Sequence, residues 1–185
     1  MTLIGLSGRA RHGKTTVANA MMAYADRKGW PARIYDIGQE VLRFCIETER
    51  LPSKARKELT RDELQTLVNV GFEKRQENAS FWLDRIAARM YLDRPYLAIV
   101  PNIRYANEAQ WIRSENGRLI RVVALNENGS EYISPDRDCN HPSETELQFY
   151  PADYYITAKR GQINYLNALA VAILEDALCL NSTLP

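Results

Sequence analysis

The stretch Gly8-Arg9-Ala10-Arg11-His12-Gly13-Lys14-Thr15 limits what this chain can become more than any other, because it is an unbroken G-x-x-x-x-G-K-[ST] lying between an apolar run and a helical pattern. In that setting its residues divide the work of holding a phosphate. Gly8 and Gly13 let backbone N–H groups turn inward, and the N-terminus of the following helix adds partial positive charge. Lys14 is expected to reach the β- and γ-oxygens of ATP and Thr15 to offer its hydroxyl to Mg2+, with Arg11 and Thr16 completing the contacts. His12 is expected to be an ordinary loop position.

The rest of the chain repeats the strand-then-helix rhythm that begins there. Apolar runs at Thr2 to Ser7, Ala32 to Ile37, Tyr96 to Val100, Leu119 to Leu125 and Tyr154 to Thr157 each fit a buried parallel strand. Helical patterns run from Lys14 to about Lys28, from Ala106 to Glu115 and from about Gln162 to Leu180. The expected fold is therefore α/β, with a five-stranded parallel sheet in one domain of 185 residues. Two segments break the rhythm. Residues 38 to 93 are too long for a simple crossover and carry charged helices such as Arg61 to Asn78, followed by the apolar series Phe81, Trp82, Ile86 and Met90. Residues 126 to 152 hold Pro135 and Pro142 and read as a lid or binding loop.

Composition removes several classes. With 24 Lys and Arg against 23 Asp and Glu, the net charge is +1, so no bulk field draws the chain to nucleic acid or to an anionic membrane. Cys45, Cys139 and Cys179 are distant from one another and only two histidines accompany them, which fits neither a zinc site nor a disulfide framework. No apolar stretch is long enough to span a membrane, and Thr2 to Ser7 run into the loop without a basic leader. A cytoplasmic protein is expected, in the host cytoplasm if phage-encoded. No Asn-Lys-x-Asp guanine motif occurs, which argues against a G-protein, and the chain is too short and too neutral for a helicase. A compact kinase of small molecules remains, with the 38 to 93 insertion holding the acceptor and the 126 to 152 segment closing over ATP.

Beyond the loop, the residues Tyr96 to Arg113 carry an Asn102-x-Arg104-x-x-x-Glu108 segment, followed by Asn116-Gly117 and the run Arg118 to Val123. Further motifs are His141-Pro142-Ser143-Glu144, the stretch Thr60 to Gln65, Gly71, Arg75 and Phe81-Trp82. Together these resemble the bacteriophage-type deoxynucleoside monophosphate kinases, which belong to the P-loop kinases of nucleoside-monophosphate-kinase type, and the likeness covers nearly the whole chain. The family's third strand ends in a D-x-R-x-x-x-E type segment and its lid carries H-x-S-E.

The resemblance implies transfer of the γ-phosphate of MgATP to a deoxynucleoside 5′-monophosphate, for nucleotide supply in DNA synthesis, with a homodimer left open. It implies Arg104 as a catalytic cation, an acceptor-binding set of Arg43, Gln65, Arg75, Trp82, Arg104 and Glu108, and a lid clasp of His141 and Glu144. Three departures modify it. The family acid is Asn102 here, and Asp36, at the end of the second strand, is the nearest carboxylate to take over the Mg2+ shell and an acceptor contact. Ile156 to Gly161 lack the family's asparagine. Ala124-Leu125-Asn126 stand where relatives often carry an arginine, for which Arg137 is the substitute and the third catalytic cation beside Lys14 and Arg104. Two other readings stay open: a P-loop kinase of phosphomevalonate or dephospho-coenzyme A type, and a nucleotide-binding regulatory protein without transfer.

Overall fold

The computed structural model describes residues 1–135 and 138–182, with the side chains of 180–182 excepted. Five parallel strands form one sheet in the order β2-β3-β1-β4-β5. They are β1 (Thr2–Ser7), β2 (Ala32–Ile34), β3 (Leu97–Ile103), β4 (Arg118–Leu125) and β5 (Tyr154–Lys159). Every residue of β1 is buried, as a central strand covered on both faces requires.

One face of the sheet packs against α1 (Lys14–Arg27) and α7 (Ile163–Ser182). Ile4 and Leu6 of β1 meet Ile120 and Val122 of β4, Val17 and Met21 of α1, and Ala170 and Leu174 of α7 in one core, all eight side chains fully buried. Each such large aliphatic side chain contributes about 1.5–3 kcal/mol on burial. The opposite face takes α5 (Ala106–Ser114), whose Ile112 approaches so closely that a Cβ on Gly5 would stand 2.9 Å from it.

Strand limits differ from the sequence reading where side chains intervene. The second strand stops at Ile34 because the Asp36 Oδ1 accepts the Gln39 N–H at 3.0 Å and starts α2 (Ile37–Glu47). The third runs on to Ile103 through an irregularity: Gly5 pairs with Val100 but Ser7 with Ile103, and Asn102 absorbs the extra residue at φ 64.

By contacts the described chain divides into two compact units, Met1–Ile34 with the described residues from Pro95 on, and Tyr35–Arg94. The second unit is helical. It holds α2, α3 (Arg61–Glu77) and α4 (Phe81–Asp93). Its centre is Phe44, Phe81 and Trp82, stacked edge to face with centroids 4.8 to 5.6 Å apart. A reciprocal Thr60 and Glu63 capping pair opens α3, and the Tyr35 hydroxyl donates to Asp93 at 3.0 Å, tying the unit's two ends.

The described residues of the 126–152 segment hold more regular structure than a loop of that length suggests. Asn126 N donates to Ser130 O at 2.8 Å and Tyr132 N to Ala124 O at 2.8 Å, which makes a tight turn after β4. The one-turn helix α6 (Pro142–Thr145) follows. Among the described residues no helix is long and apolar enough to cross a membrane.

Candidate active site

The loop after β1 is shaped by three residues at positive φ: Gly8 at 132, Arg11 at 61 and Gly13 at 91. At Gly8 a Cβ would lie 2.2 Å from the Val122 carbonyl oxygen, so only glycine lets the loop pass over β4. Gly13 opens α1 without a side-chain cap, and the first turn of that helix holds no acid, so its leading N–H groups are left for an anion. Ala10, Arg11, Gly13, Lys14, Thr15 and Thr16 line a cavity of about 700 Å3 together with Asn102, Arg104 and Ser134.

Lys14 is 4% exposed, and its Nζ donates to Gly8 O at 2.8 Å and Arg9 O at 2.7 Å. The ammonium thus braces the arch that it is expected to serve. His12 is no ordinary loop residue. It is buried, with Nδ1 3.2 Å from Val122 O and Nε2 2.7 Å from Tyr132 O, and so pins the loop to β4 and to the turn beyond it. Beside it Arg9 pairs with Glu131 at 3.3 Å.

The Arg104 guanidinium turns away from Glu108, the acid four residues on. The Glu108 carboxylate accepts the backbone N–H groups of Arg104 at 2.8 Å and Tyr105 at 3.3 Å, which caps α5 and leaves the guanidinium to others. Glu108 is 3% exposed in this role. Arg104 Nη1 donates to Glu144 Oε1 at 2.6 Å and to Ser143 O at 3.1 Å.

The other oxygen of Glu144 accepts the Ala10 N–H at 2.8 Å, so a carboxylate from α6 holds both a loop amide and Arg104. Burial alone would push the Glu144 carboxyl up, but the Ala10 N–H, the Arg104 guanidinium and the Lys14 charge together hold it below its ordinary value. His141 sets this helix in place: its Nδ1 accepts the Ser143 N–H at 3.1 Å, making His141 rather than Ser143 the N-cap.

Behind the loop, a second cavity of about 230 Å3 is lined by Arg9, Arg104, Arg121, Glu144 and Phe149 among others. Burial lowers the Arg121 pKa. Its Nη1 donates to Gln148 O, and its Nε finds no partner among the described residues.

Of the remaining predicted residues, Arg137 lies outside the described ones. The others belong to the helical unit. Asp36 caps α2, and Arg43 donates to the buried Glu40 at 2.5 Å. Arg85 reaches that same carboxylate at 2.8 Å. Gln65 is exposed and bonds Asn69 at 3.0 Å, while Arg75 donates to Gly71 O at 3.2 Å. Trp82 is 1% exposed with its indole N–H on Gly71 O at 3.1 Å, so it packs as core of the helical unit. The structure thus brings Gly8, Arg11, Gly13, Lys14, Thr15, Thr16, Arg104 and Glu144 together in the first unit. Sequence reasoning missed His12, Arg121 and Ser134, whose partners or cavities are formed by residues distant in the chain.

No protein-family model matches the chain, and no curated protein matches its sequence. Solved structures do match its fold. The APS kinase CysC of Mycobacterium tuberculosis in complex with AMPPNP and APS aligns at a TM-score of 0.52, 15% identity, covering 96% of this chain and 96% of that one. A cysteine variant of the same kinase aligns at 0.50 and 14% identity, covering 94% and 96%. Shikimate kinase from Aquifex aeolicus aligns at 0.49 with 12% identity over 96% of this chain and 99% of that one, too weakly to add to the fold. The fold shared with these structures is an α/β fold whose five-stranded sheet is all parallel in this chain.

Proposed function

We propose that this chain is an ATP-dependent phosphotransferase that moves the γ-phosphate of ATP to a deoxynucleoside 5′-monophosphate, giving ADP and the diphosphate. One observation carries the phosphotransferase reading: a single cavity gathers the loop amides, the uncapped start of α1, the Lys14 ammonium and the Arg104 guanidinium, with no acidic residue lining it among the described residues. Moving a phosphoryl group between two polyanions is chiefly a matter of bringing cations to where charge spreads, and no strong base is needed. The choice of acceptor rests on the resemblance in Thr60 to Gln65, Gly71 and Arg75 and in the Asn102 to Glu108 segment.

In this reading the loop amides and Lys14 take the β- and γ-oxygens. ATP then displaces the Glu144 carboxylate from the Ala10 N–H, which frees Arg104 to meet the transferring group. Mg2+, when bound, supplies charge neutralisation between the phosphates. The Thr15 hydroxyl and the Asn102 amide are hard oxygen donors on the cavity wall and suit a cation that keeps most of its waters and takes other oxygens from phosphate. Asp36 keeps its proposed share in that shell, and Arg43, Gln65 and Arg75 theirs in holding the acceptor. Arg137 is proposed as the third cation, and closure of the 126–152 segment would keep water from the γ-phosphate.

The test is to identify products. Purified protein with MgATP is offered each deoxynucleoside and ribonucleoside monophosphate, together with APS and shikimate because kinases of those compounds occur among the matched structures. A deoxynucleoside diphosphate as the main product supports the reading. A phosphorylated product from APS or shikimate alone would keep the kinase and replace the acceptor.

A further inference from the structure

Ser134 stands out among the polar side chains of the first unit. It is 5% exposed, it lines the same cavity as Lys14, Thr15 and Arg104, and its Oγ has no hydrogen-bond partner among the described residues. Buried hydroxyls are nearly always paired, and an orphan is costly. Less buried hydroxyls of the same segment all find partners: Ser130 Oγ donates to Asn128 Oδ1 at 2.7 Å, Ser143 Oγ lies 2.8 Å from His141 Nδ1, and Thr145 Oγ1 donates to His141 O at 3.3 Å.

The place of Ser134 is fixed by contacts two residues back. Tyr132 O accepts from His12 of the loop at 2.7 Å, Tyr132 N donates to Ala124 O at 2.8 Å, and the Arg160 guanidinium lies 4.0 Å from the centre of the Tyr132 ring. The serine is thereby held against the loop by the loop's own histidine. What surrounds the cavity is rich in donors: backbone N–H groups, Arg11, Lys14 and Arg104. A ligand that suits such a wall brings acceptors, and rotation about χ1 can aim the Ser134 hydroxyl at one without breaking a hydrogen bond to any described residue.

We infer that Ser134 is a phosphate-binding residue whose hydroxyl donates to a non-bridging oxygen of the nucleoside triphosphate held by the loop. The inference rests on the reading of this cavity as a nucleotide site, and it names a contact to that site from the segment after β4.

The experiment is calorimetric binding of AMPPNP, and separately of inorganic tripolyphosphate, to the full chain with Mg2+, for the wild type, Ser134→Ala and Ser134→Thr, with melting of each free protein in parallel. Losing a hydrogen bond to a charged oxygen should weaken binding of both probes by about tenfold or more in Ser134→Ala. Ser134→Thr, which keeps the hydroxyl, should recover part of it. Melting of free Ser134→Ala should be unchanged or higher, because the substitution removes an unpaired buried group. Equal affinity of wild type and Ser134→Ala overturns the inference while leaving the nucleotide site standing. A lowered melting temperature of Ser134→Ala without ligand also overturns it, since the hydroxyl would then have a structural partner. Failure of the wild type to bind either probe overturns the nucleotide reading and this inference together.

Discussion

At Asn102 the backbone of β3 enters the left-handed region, φ 64, and carries the side chain to the wall of the phosphate cavity. Left-handed backbone costs an L-residue about 1–2 kcal/mol unless, like Asn, it tolerates that conformation. This supplies a physical reason for an amide at this position. Asn102→Ala should therefore lower stability in denaturant by about 1 kcal/mol, while Asn102→Gly should cost less, glycine entering this region freely. If the residue also orders the Mg2+ shell, both variants should need more Mg2+ for half-maximal activity. A loss of stability alone would confine Asn102 to the bend. Lys14 offers a second test at this scale. Lys14→Ala should cut kcat by at least about 10²-fold, as removal of a single charge-stabilising donor does elsewhere. It should also lower the melting temperature, because the ammonium braces Gly8 O and Arg9 O. Near-normal turnover would remove Lys14 from the chemistry. The glycines and Lys14 were legible because their constraint is local to eight residues of sequence. His12 was not: its two carbonyl partners lie 110 and 120 residues away, and nothing near it in the chain signals them.

At the scale of elements, α6 behaves as a latch. Its four residues place one carboxylate where it holds the Ala10 N–H and Arg104 at once, the groups that the proposed reaction needs for phosphate. A ligand that must displace a contact occupied nine-tenths of the time binds about tenfold more weakly than it otherwise would. Glu144→Gln should accordingly tighten AMPPNP binding by up to about that factor. Weaker binding would show that Glu144 helps to hold nucleotide rather than competing with it. The same carboxylate makes a pH prediction. Its folded value is depressed, so its contribution to stability is present above the unfolded value of about 4.3 and is lost as pH falls through the folded one. Unfolding followed from pH 5 downward should then lose stability less steeply in Glu144→Gln than in the wild type, and parallel slopes would contradict the latch. The H-x-S-E pattern pointed to this segment, but not to its target. An Asn102-x-Arg104-x-x-x-Glu108 spacing suggests a pair between Arg104 and Glu108, whereas α5 consumes Glu108 as its cap and the guanidinium turns to a carboxylate 40 residues on. Likewise the second strand was read three residues too long because its apolar run continues while the Asp36 cap ends it.

Across the whole molecule, the strand order turns about β1, and the phosphate loop leaves the carboxyl end of that strand, the position at which open parallel sheets bind their ligands. The periodic apolar runs made the sheet legible, since buried parallel strands have few other readings. The division into two compact units was visible only as an overlong, charged crossover. The acceptor is harder to read than the fold, because the helical unit's arginines and glutamine already bond within their own unit, and sequence spacing does not say which of them a ligand would take over. The central claim is that this architecture transfers a phosphoryl group to an acceptor rather than merely binding or hydrolysing ATP. The most direct measurement is the steady-state rate of ADP release from MgATP with and without a mixture of deoxynucleoside monophosphates, on the wild-type chain. The account predicts release at least about 10²-fold faster with acceptor present, a loss of barrier of roughly 2.7 kcal/mol or more. ADP release at the same rate with and without acceptor, or tight ATP binding with no release in either case, would contradict it.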